Sequence, residues 1–360
     1  MKLFYDARYI RPDFHDGISR YTTELGNALA AITPLTFIIS SYDQLTLLPQ
    51  GCDFVKIHHP ISVKEPFTSL ILNKYHPDVV FTPLHTLGSI GRRFKLLVTS
   101  HDMIYLHHHT PPLDIHNLLV RLGWRLYYST KAPQRFVLNR ADIVVTVSDS
   151  AKKEFQDAHL TKRPILVIKN APDQLEHLLD KAPDFAKKAP RNIVYMGAFI
   201  GYKNVEVLVR GMEWLDGYTL HLLSRVPPFR KVELSKLIPK DAKVIFHNGV
   251  SDVKYAKLLA DNAVLASGSL DEGFGLPVAE TLKLGVPAVI TDMPVFHEVA
   301  GDGALYFDPH SPHDFADQIK RLDDDDLRVQ LVKAGKKHVE QFSWDVSAAK
   351  LLKAITDLLK

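Results

Sequence analysis

Apolar and polar residues along this chain follow two patterns that alternate. Short apolar runs rich in branched side chains are typical of strands buried in a parallel sheet. Between several of these runs, apolar positions recur at helical spacing, as at 18–29 and 152–157. Strands that alternate with helices predict an α/β architecture with parallel sheets. The predicted strands lie at 1–6, 35–40, 79–81, 96–100, 143–147, 192–197, 219–224, 244–252, 263–266, 288–292 and 304–307.

The length of the chain indicates more than one domain. Its 360 residues exceed the size at which a single hydrophobic core usually keeps growing, so we expect two domains. A polar stretch at 173–191 contains two prolines and separates two blocks of alternating strands and helices. The expected first domain is 1–172 and the expected second domain is 173–344. Hydrophobic residues make up 46% and charged residues 24%, as in ordinary globular proteins.

One stretch of the second block combines a strand, a glycine-rich loop and a helix start. The apolar run at 263–266 leads into the sequence EGFGLP, whose proline suits the first turn of a helix. Backbone N–H groups of Phe274, Gly275 and Leu276 would point out of that helix N-terminus, which favours a bound phosphate. Glu272 in the loop and Glu280 on the helix carry acceptor oxygens suited to sugar hydroxyls. The stretch therefore predicts a site for a phosphorylated sugar.

Glu272 and Glu280, with GFGLP between them, resemble the Glu-x7-Glu signature of the family-four retaining glycosyltransferases. The resemblance extends over nearly the whole chain, and its specific motifs lie mostly at 193–309. It implies the GT-B fold, in which two doubly wound Rossmann-like domains face a central cleft. The first domain would bind the acceptor and the second the nucleotide sugar. A strand at 167–172 would close the first domain, and the C-terminal helix at 345–360 would pack back on it.

The resemblance also implies which residues bind the donor diphosphate. In that family, the loop after the first strand of the second domain supplies two basic residues. Here only Lys203 matches, because Ala198 and Tyr202 stand where arginine is frequent. Arg225, which follows a predicted strand, is the candidate substitute. The glycine loop at Gly17 is expected near the donor phosphates or the acceptor, since it follows the first strand.

A histidine-aspartate pair follows the predicted strand at 96–100. By resemblance, His101 lies against the transferred sugar, and a neutral imidazole can hydrogen-bond a hydroxyl there. Asp102 either orients its loop or contacts the acceptor. His107 begins a run of three histidines and is expected to line the acceptor cleft. In an extended segment, neighbouring rings face opposite sides, which disfavours a shared metal ion.

The implied activity is the retaining transfer of a mannose- or glucose-type hexose from GDP- or UDP-hexose to a glycan or lipid-linked acceptor, as in polysaccharide biosynthesis. His101, Glu272 and Lys203 would be catalytic in a front-side displacement, with Glu272 on the sugar hydroxyls and Glu280 on the ribose diol. Lys203 and the loop amides would meet the charge of the leaving diphosphate, so neither a metal nor another cofactor is expected. Two alternatives stay open: a sugar-nucleotide epimerase of the same fold, and a non-catalytic sugar-nucleotide-binding subunit, which the missing arginines favour.

The net charge of +3 is unevenly distributed. Residues 1–172 hold 20 Lys and Arg against 14 Asp and Glu, whereas residues 173–360 hold 24 against 27. The basic half suits an anionic lipid or a phosphate-bearing acceptor, although scattered solvated charge explains the same count. At 113–138, aromatic and basic residues at helical spacing predict either a membrane-touching face or a core stripe with snorkelling arginines. Nothing indicates nucleic acid as a partner.

Localisation is predicted from cysteine use and from the lack of long apolar runs. The single cysteine, Cys52, rules out an intramolecular disulfide and fits a reducing compartment. The sequence holds neither a signal-peptide pattern at its start nor an apolar run of bilayer-spanning length. We therefore expect a cytoplasmic protein that lies peripherally on the inner face of the plasma membrane.

Overall fold

A computed structural model of the chain describes residues 1–13, 16–109, 111, 118–181 and 188–360. Parts of two predicted segments lie outside these residues, namely 182–187 of the linker and 113–117 of the aromatic and basic segment. The strands are β1 (Leu3–Asp6), β2 (Thr36–Ile39), β3 (Asp53–Lys56), β4 (Val79–Thr82), β5 (Lys95–Thr99), β6 (Ile143–Thr146), β7 (Ile165–Val167), β8 (Asn192–Tyr195), β9 (Thr219–Leu222), β10 (Lys243–Phe246), β11 (Ala263–Ser267), β12 (Ala288–Thr291) and β13 (Leu305–Phe307).

Helices alternate with these strands along most of the chain. The α-helices are α1 (Gly17–Ile32), α2 (Thr68–Leu72), α3 (Ile104–His107), α4 (Leu118–Tyr128), α5 (Ala132–Leu138), α6 (Asp149–Asp157), α7 (Val205–Gly211), α8 (Pro228–Ser235), α9 (Asp252–Ala260), α10 (Leu276–Leu284), α11 (Pro294–Ala300), α12 (Pro312–Arg321), α13 (Asp325–Val339) and α14 (Trp344–Leu359). Short 3₁₀ turns are Tyr42–Leu47, Glu65–Phe67, Asn73–Tyr75, Leu175–Leu178, Gly201–Lys203, Met212–Trp214 and Gly301–Gly303.

The chain divides into two compact units, each built on one parallel sheet. The first unit comprises Met1–Asn170 and Phe342–Lys360, and the second comprises Ala171–Gln341. The sheet of the first unit has the strand order β3-β2-β1-β4-β5-β6-β7, and that of the second has the order β10-β9-β8-β11-β12-β13. Strand order reverses between β1 and β4 and again between β8 and β11. Open parallel sheets of this kind bind ligands at the carboxyl ends of the strands beside such a reversal.

Apart from two, the predicted strands are confirmed with ends within two residues of the prediction. The strand predicted at 167–172 is wrong in position, since β7 runs over Ile165–Val167 and shares only Val167 with it, and the strand predicted at 244–252 ends at Phe246 as β10. Strand β3 was not predicted. Its side chains are mostly exposed at the edge of the sheet, so Asp53–Lys56 lacks the continuous apolar pattern of a buried strand.

Each unit has its own hydrophobic core. The core of the first unit includes Phe4, Val80 and Phe155, and that of the second includes Leu220 and Val264. Apart from Phe155 on α6, these residues lie on strands that are buried at successive positions, which explains why the strand sequences are continuously apolar. The 3₁₀ turn at Leu175–Leu178, within the predicted linker, belongs to the second unit and buries Leu175 there.

Helix α14 packs within the first unit. The ring of Trp344 meets the ring of Tyr21 on α1 edge-on, with 5.9 Å between centroids. The hydroxyl of Ser347 donates to the carbonyl oxygen of Lys169 at 2.7 Å. The C-terminal segment is therefore joined to the first sheet by an aromatic contact and a hydrogen bond.

Serine side chains cap the starts of helices α6 and α9. The hydroxyl of Ser148 accepts a hydrogen bond from Ala151 N at the start of α6, and that of Ser251 accepts one from Lys254 N at the start of α9. Each bond satisfies one of the backbone donors that a helix N-terminus leaves unpaired.

Candidate active site

The loops after β8 and β11 meet at the reversal of strand order in the second unit. Leu270 N donates to Tyr202 O at 2.7 Å, which ties one loop to the other. A Cβ atom on Gly268 would lie 2.6 Å from Asn204 O, so the two backbones approach as closely as glycine permits. These two loops carry Lys203 and Glu272, the residues predicted to bind the diphosphate and the sugar.

Lys203 and Glu272 form an ion pair between these loops. Lys203 Nζ lies 2.5 Å from Glu272 Oε1, and the side chains are 16% and 15% exposed. The hydroxyl of Ser269 donates to the same Glu272 oxygen at 2.9 Å. The ammonium group also lies 5.2 Å from the centroid of the Tyr202 ring. The structure thus brings together a cation suited to phosphate and a carboxylate suited to hydroxyl groups.

Helix α10 follows Glu272 closely in the chain, and Gly275 is its N-cap residue. The φ of Gly275 is +92°, and a Cβ there would lie 2.8 Å from the ring of Phe296, so both conformation and space require glycine. Phe274 is buried at 3% exposure. Within the described residues, no side chain caps α10, whose first residue is Leu276. The first-turn amides and the helix dipole therefore form a position that favours an anion.

Glu280 lies in the second turn of α10 and is 3% exposed. Glu272, in the loop, is partly buried, with 15% of its side chain exposed. Both carboxylates are therefore largely shielded from solvent, Glu280 inside the fold and Glu272 in the loop. The expected contact of Glu280 with the ribose diol stays a prediction.

Arg225 follows β9 and lies at the carboxyl edge of the same sheet. Its side chain is exposed and runs over Gly249, whose φ is +103°. Next to it, Ser224 Oγ accepts a hydrogen bond from Gly197 N at 3.1 Å, so the turn after β9 is held against the turn after β8. Across the residues that the structure describes, no carboxylate pairs with the Arg225 guanidinium, which leaves its charge available to a ligand.

In the first unit, the loop before α1 and the loop after β5 hold the remaining predicted residues. Gly17 is exposed and begins α1, and the preceding Asp16 caps the helix by accepting from Ser19 N at 2.8 Å. Arg11 Nη1 lies 3.1 Å from the Asp16 carboxylate. The Asp16 carboxylate therefore caps α1 and pairs with Arg11.

His101 is held in a defined orientation after β5. Its Nε2 bonds the carbonyl oxygen of Pro83 at 2.9 Å, and its ring meets that of Tyr21 edge-on with 5.0 Å between centroids. Because a carbonyl only accepts, Nε2 carries the proton and Nδ1 is the acceptor of the neutral ring. Burial lowers the pKa of His101 below its usual value, against smaller opposing contributions from the Pro83 bond and Asp16. His101 is thus neutral at physiological pH.

Asp102 and His107 follow His101 in the chain. Asp102 Oδ1 accepts from Ile104 N at 3.0 Å, the geometry of a residue that orients its own loop. His107 is exposed and ends α3, so the extended conformation predicted for the three histidines is wrong at this position. The rings of His107 and His108 are 6.5 Å apart. Among the described residues, no group of three metal-ligating side chains occurs.

A buried ionic network at the end of β1 was not predicted. Arg8 donates through Nε to Asp6 Oδ1 and through Nη1 to Glu65 Oε2, both at 2.8 Å. Thr82 Oγ1 bonds Asp6 Oδ2 at 3.2 Å, and His58 Nε2 bonds Glu65 Oε2 at 3.0 Å. Two carboxylates neutralise Arg8, so its charge fixes neighbouring loops and is not offered to a phosphate. The one sign of this network in the sequence is that an acidic residue, Asp6, ends the apolar strand β1.

Two family models match consecutive parts of the chain: "Glycosyltransferase Family 4" matches residues 15–174, and "Glycosyl transferases group 1" matches residues 179–338. The O-antigen chain mannosyltransferase RfbU of Salmonella typhimurium is 28% identical over 256 residues, which cover 67% of this chain and 68% of that protein.

Solved structures agree over nearly the full length. Sucrose-phosphate synthase from Thermosynechococcus elongatus superposes with a TM-score of 0.73 at 19% identity and covers 99% of this chain and 98% of its own. Anabaena HepE, in complex with UDP and glucose, gives a TM-score of 0.71 at 15% identity and covers 99% of both chains. The prediction of two doubly wound, Rossmann-like domains of the GT-B type is confirmed.

Proposed function

Because the chain belongs to glycosyltransferase family 4, we propose that it transfers a mannose-type hexose from a nucleoside diphosphate sugar to a glycan or lipid-linked acceptor, with retention at the anomeric carbon. The two family models together cover most of the chain and give the enzyme class, a glycosyltransferase. The similarity to a mannosyltransferase of O-antigen chains supports mannose as the sugar and a polysaccharide as the product.

The ion pair between Lys203 and Glu272, beside the start of α10, is the observation that carries this proposal. A nucleoside diphosphate sugar needs a cation and N–H donors at its phosphates and acceptors at its sugar hydroxyls. The second unit offers both within one pair of loops, 2.5 Å apart at their charged ends. Lys203 and the amides at Gly275 and Leu276 would bind the diphosphate, and Glu272 would bind the sugar.

The reaction we propose is a front-side displacement. The bond between C1 of the hexose and the diphosphate oxygen breaks, and the acceptor hydroxyl oxygen bonds C1 on the same face. The hydroxyl proton passes to the departing phosphate oxygen. Negative charge grows on the diphosphate in the transition state, where Lys203 and the α10 amides stabilise it more than in the ground state. Glu272 holds the hexose by its hydroxyls while the bond breaks.

His101 would contact the transferred sugar or its acceptor as a neutral hydrogen-bonding group. Its proton is on Nε2 and is donated to Pro83 O, so Nδ1 offers an acceptor lone pair to a hydroxyl. A charged imidazolium would offer no acceptor, and burial opposes that form. Gly17, Asp102 and His107, in the same unit as His101, are the further residues we assign to the donor phosphates or the acceptor.

Arg225 is our candidate for the second cation of the donor site, in place of the arginines absent at Ala198 and Tyr202. Its guanidinium is exposed and lies at the carboxyl edge of the strands that also carry Lys203. A guanidinium binds phosphate through paired N–H groups and also stacks on aromatic rings. It can thus meet the diphosphate or the base of a GDP- or UDP-linked donor.

The proposed chemistry needs no divalent cation, because Lys203, Arg225 and the α10 amides supply the positive charge that a metal would bring to the diphosphate. We expect transfer to continue after chelation of divalent ions. A loss of transfer in chelator that magnesium restores would contradict this part of the proposal.

Helix α4 supports contact with an anionic membrane on the inner face of the plasma membrane. Leu118, Leu122 and Leu126 share one side of the helix and are 80%, 55% and 64% exposed. Arg121 and Arg125 lie on the same helix, and residues 118–141 contain five basic and no acidic residues. Apolar side chains flanked by cations suit the interface of an anionic bilayer. No described helix is long and apolar enough to cross a membrane.

The aromatic side chains of α4 face the protein. Trp124 and Tyr128 pack on Tyr105, with ring centroids 5.1 and 5.4 Å from it. The two interpretations of the segment therefore apply to different sides of one helix. The aromatic side forms a packed cluster, and the leucine side is the surface that we assign to the membrane.

Thermal unfolding with a panel of nucleotide sugars tests the proposed donor. A ligand that binds only the folded state raises Tm by mass action. We expect stabilisation by GDP-mannose or a UDP-hexose and turnover of the same compound. Stabilisation without transfer or hydrolysis would instead favour the non-catalytic binding subunit, and conversion of the sugar without transfer would favour the epimerase.

A further inference from the structure

Glu272 is anchored through one of its two carboxylate oxygens. Lys203 Nζ at 2.5 Å and Ser269 Oγ at 2.9 Å both bond Oε1. The second oxygen, Oε2, takes part in neither bond. A carboxylate held this way is fixed in orientation and keeps acceptor capacity for a ligand hydroxyl.

The two anchors differ in how firmly they are held. Ser269 is fully buried, and its carbonyl oxygen accepts a hydrogen bond of 2.6 Å from Thr291 Oγ1 at the end of β12. Ser267 Oγ, at the end of β11, bonds the Ser269 hydroxyl at 3.2 Å. Ser269 is therefore fixed by two neighbouring strands, whereas Lys203 reaches Glu272 by a long side chain with several rotatable bonds.

Lys203 pairs with Glu272 in the structure, and in the proposed donor complex it would pair with the diphosphate, which carries more negative charge. The two side chains are 16% and 15% exposed, so the exchange is favourable because the diphosphate replaces the carboxylate as the partner of the ammonium group. Glu272, once it loses Lys203, keeps the bond from Ser269.

We propose that Ser269 is the positioning residue of Glu272, and that Glu272 competes with the donor diphosphate for Lys203. The inference rests on the proposed donor site and adds to it a mode of regulation. In the structure, the carboxylate of Glu272 balances the charge of Lys203. Donor binding transfers Lys203 to the diphosphate and leaves Glu272, oriented by Ser269, to bind the sugar hydroxyls.

The competition predicts a gain of affinity on removing the catalytic carboxylate. Glu272→Gln frees Lys203 and should tighten binding of GDP or UDP, which carry no sugar, by at least about twofold, because even solvent-exposed ion pairs reach that range. The same change should lower kcat for transfer, because the amide binds the sugar hydroxyls less well. Unchanged or weaker binding of the nucleoside diphosphate by Glu272→Gln would overturn the competition.

The positioning role predicts a separate signature. Ser269→Ala removes one bond to a charged acceptor and should lower kcat about tenfold or more, while affinity for the nucleoside diphosphate stays within about twofold. The matched control is Ser235→Ala, which deletes an exposed hydroxyl at the end of α8 that bonds neither Glu272 nor Ser269 and should leave kcat near the wild-type value. Equal kcat for Ser269→Ala and Ser235→Ala would overturn the positioning role.

Two further variants keep the test decisive. If Ser269→Ala does not fold, Thr291→Val removes the bond that fixes the Ser269 carbonyl without a change of volume, and the same drop in kcat at constant nucleotide affinity is expected. Lys203→Ala separates this inference from the proposed function. It should weaken GDP or UDP binding; unchanged affinity in Lys203→Ala would mean that the donor site itself is wrong.

Discussion

The side chain of Arg225 lies along the backbone of Gly249: a Cβ atom on that glycine would be 3.1 Å from Arg225 Cγ. Gly249 has a φ of +103°, a conformation that residues with a side chain rarely adopt. The glycine therefore serves two needs at once, the turn after β10 and the space for the arginine stem. The guanidinium is held at the edge of the sheet where a nucleotide is expected.

Replacing Arg225 should weaken donor binding by removing this cation. We expect Arg225→Ala to lower affinity for GDP or UDP about tenfold, since a charged hydrogen bond contributes about 1.5–3 kcal/mol. Arg225→Lys should restore affinity only in part, because an ammonium group lacks the paired N–H geometry. Titration calorimetry with the nucleoside diphosphate measures both. Unaltered affinity in Arg225→Ala would remove this residue from the donor site.

Glu280→Gln tests the expected contact with the ribose. The variant should bind GDP or UDP several-fold more weakly, because an amide is a poorer acceptor for the ribose hydroxyls than a carboxylate. Inorganic diphosphate is the matched ligand without a ribose, and its affinity should not change. A parallel loss for both ligands would assign Glu280 to the fold of α10, where it is buried.

Acid should destabilise the first unit through His85. Burial and the neighbouring His101 lower the pKa of His85 from 6.5 to about 4. A histidine with a depressed pKa in the folded state contributes stability above its unfolded pKa and loses it as pH falls toward the folded value. The loss between pH 6.5 and about 4 amounts to at most about 3 kcal/mol.

The variant His85→Gln should therefore flatten the fall of Tm across that pH window. His109→Gln changes an exposed histidine and serves as the matched control, whose pH dependence should follow the wild type. The account of His85 fails if both variants lose Tm with acid as steeply as the unmodified protein.

Membrane binding should depend on the leucine side of α4. The double substitution Leu122→Glu and Leu126→Glu should reduce partitioning onto vesicles with phosphatidylglycerol about tenfold or more. It replaces apolar side chains that would be buried in the membrane by negatively charged ones. Val346→Glu alters an equally exposed apolar residue on α14 and should bind as the wild type does. Binding should weaken with salt and be low on phosphatidylcholine. Sedimentation with vesicles that is the same for all variants would contradict the assignment.

Local patterns in the sequence were enough to predict parallel α/β sheets in two domains, whereas the GT-B fold was predicted from the family resemblance. The buried strands could be located because they are continuous apolar runs. Strand β3 was not predicted, because an edge strand with exposed side chains lacks that pattern. The short helix α3, which ends at His107, was not predicted either, because four residues are too few to show a helical pattern of apolar positions.

Long-range contacts in the site could not be predicted in this way. Arg8 and Glu65 are 57 positions apart, and only the folded sheet brings their charges together. Lys203 and Glu272 are 69 apart; each was assigned to the donor site, but their mutual ion pair and the bond from Ser269 depend on how two loops meet. Motifs indicated which residues belong to the candidate site, whereas the structure was needed to show which of them contact each other.

The most direct test of the central claim is the anomeric configuration of the product, read by proton NMR during transfer from a donor with α-configured C1. We predict an α-linked product from the wild-type enzyme and loss of that signal in Lys203→Ala and Glu272→Ala, with GDP or UDP released in equal amount by the wild type. A β-linked product, or undiminished transfer by both variants, would contradict the account.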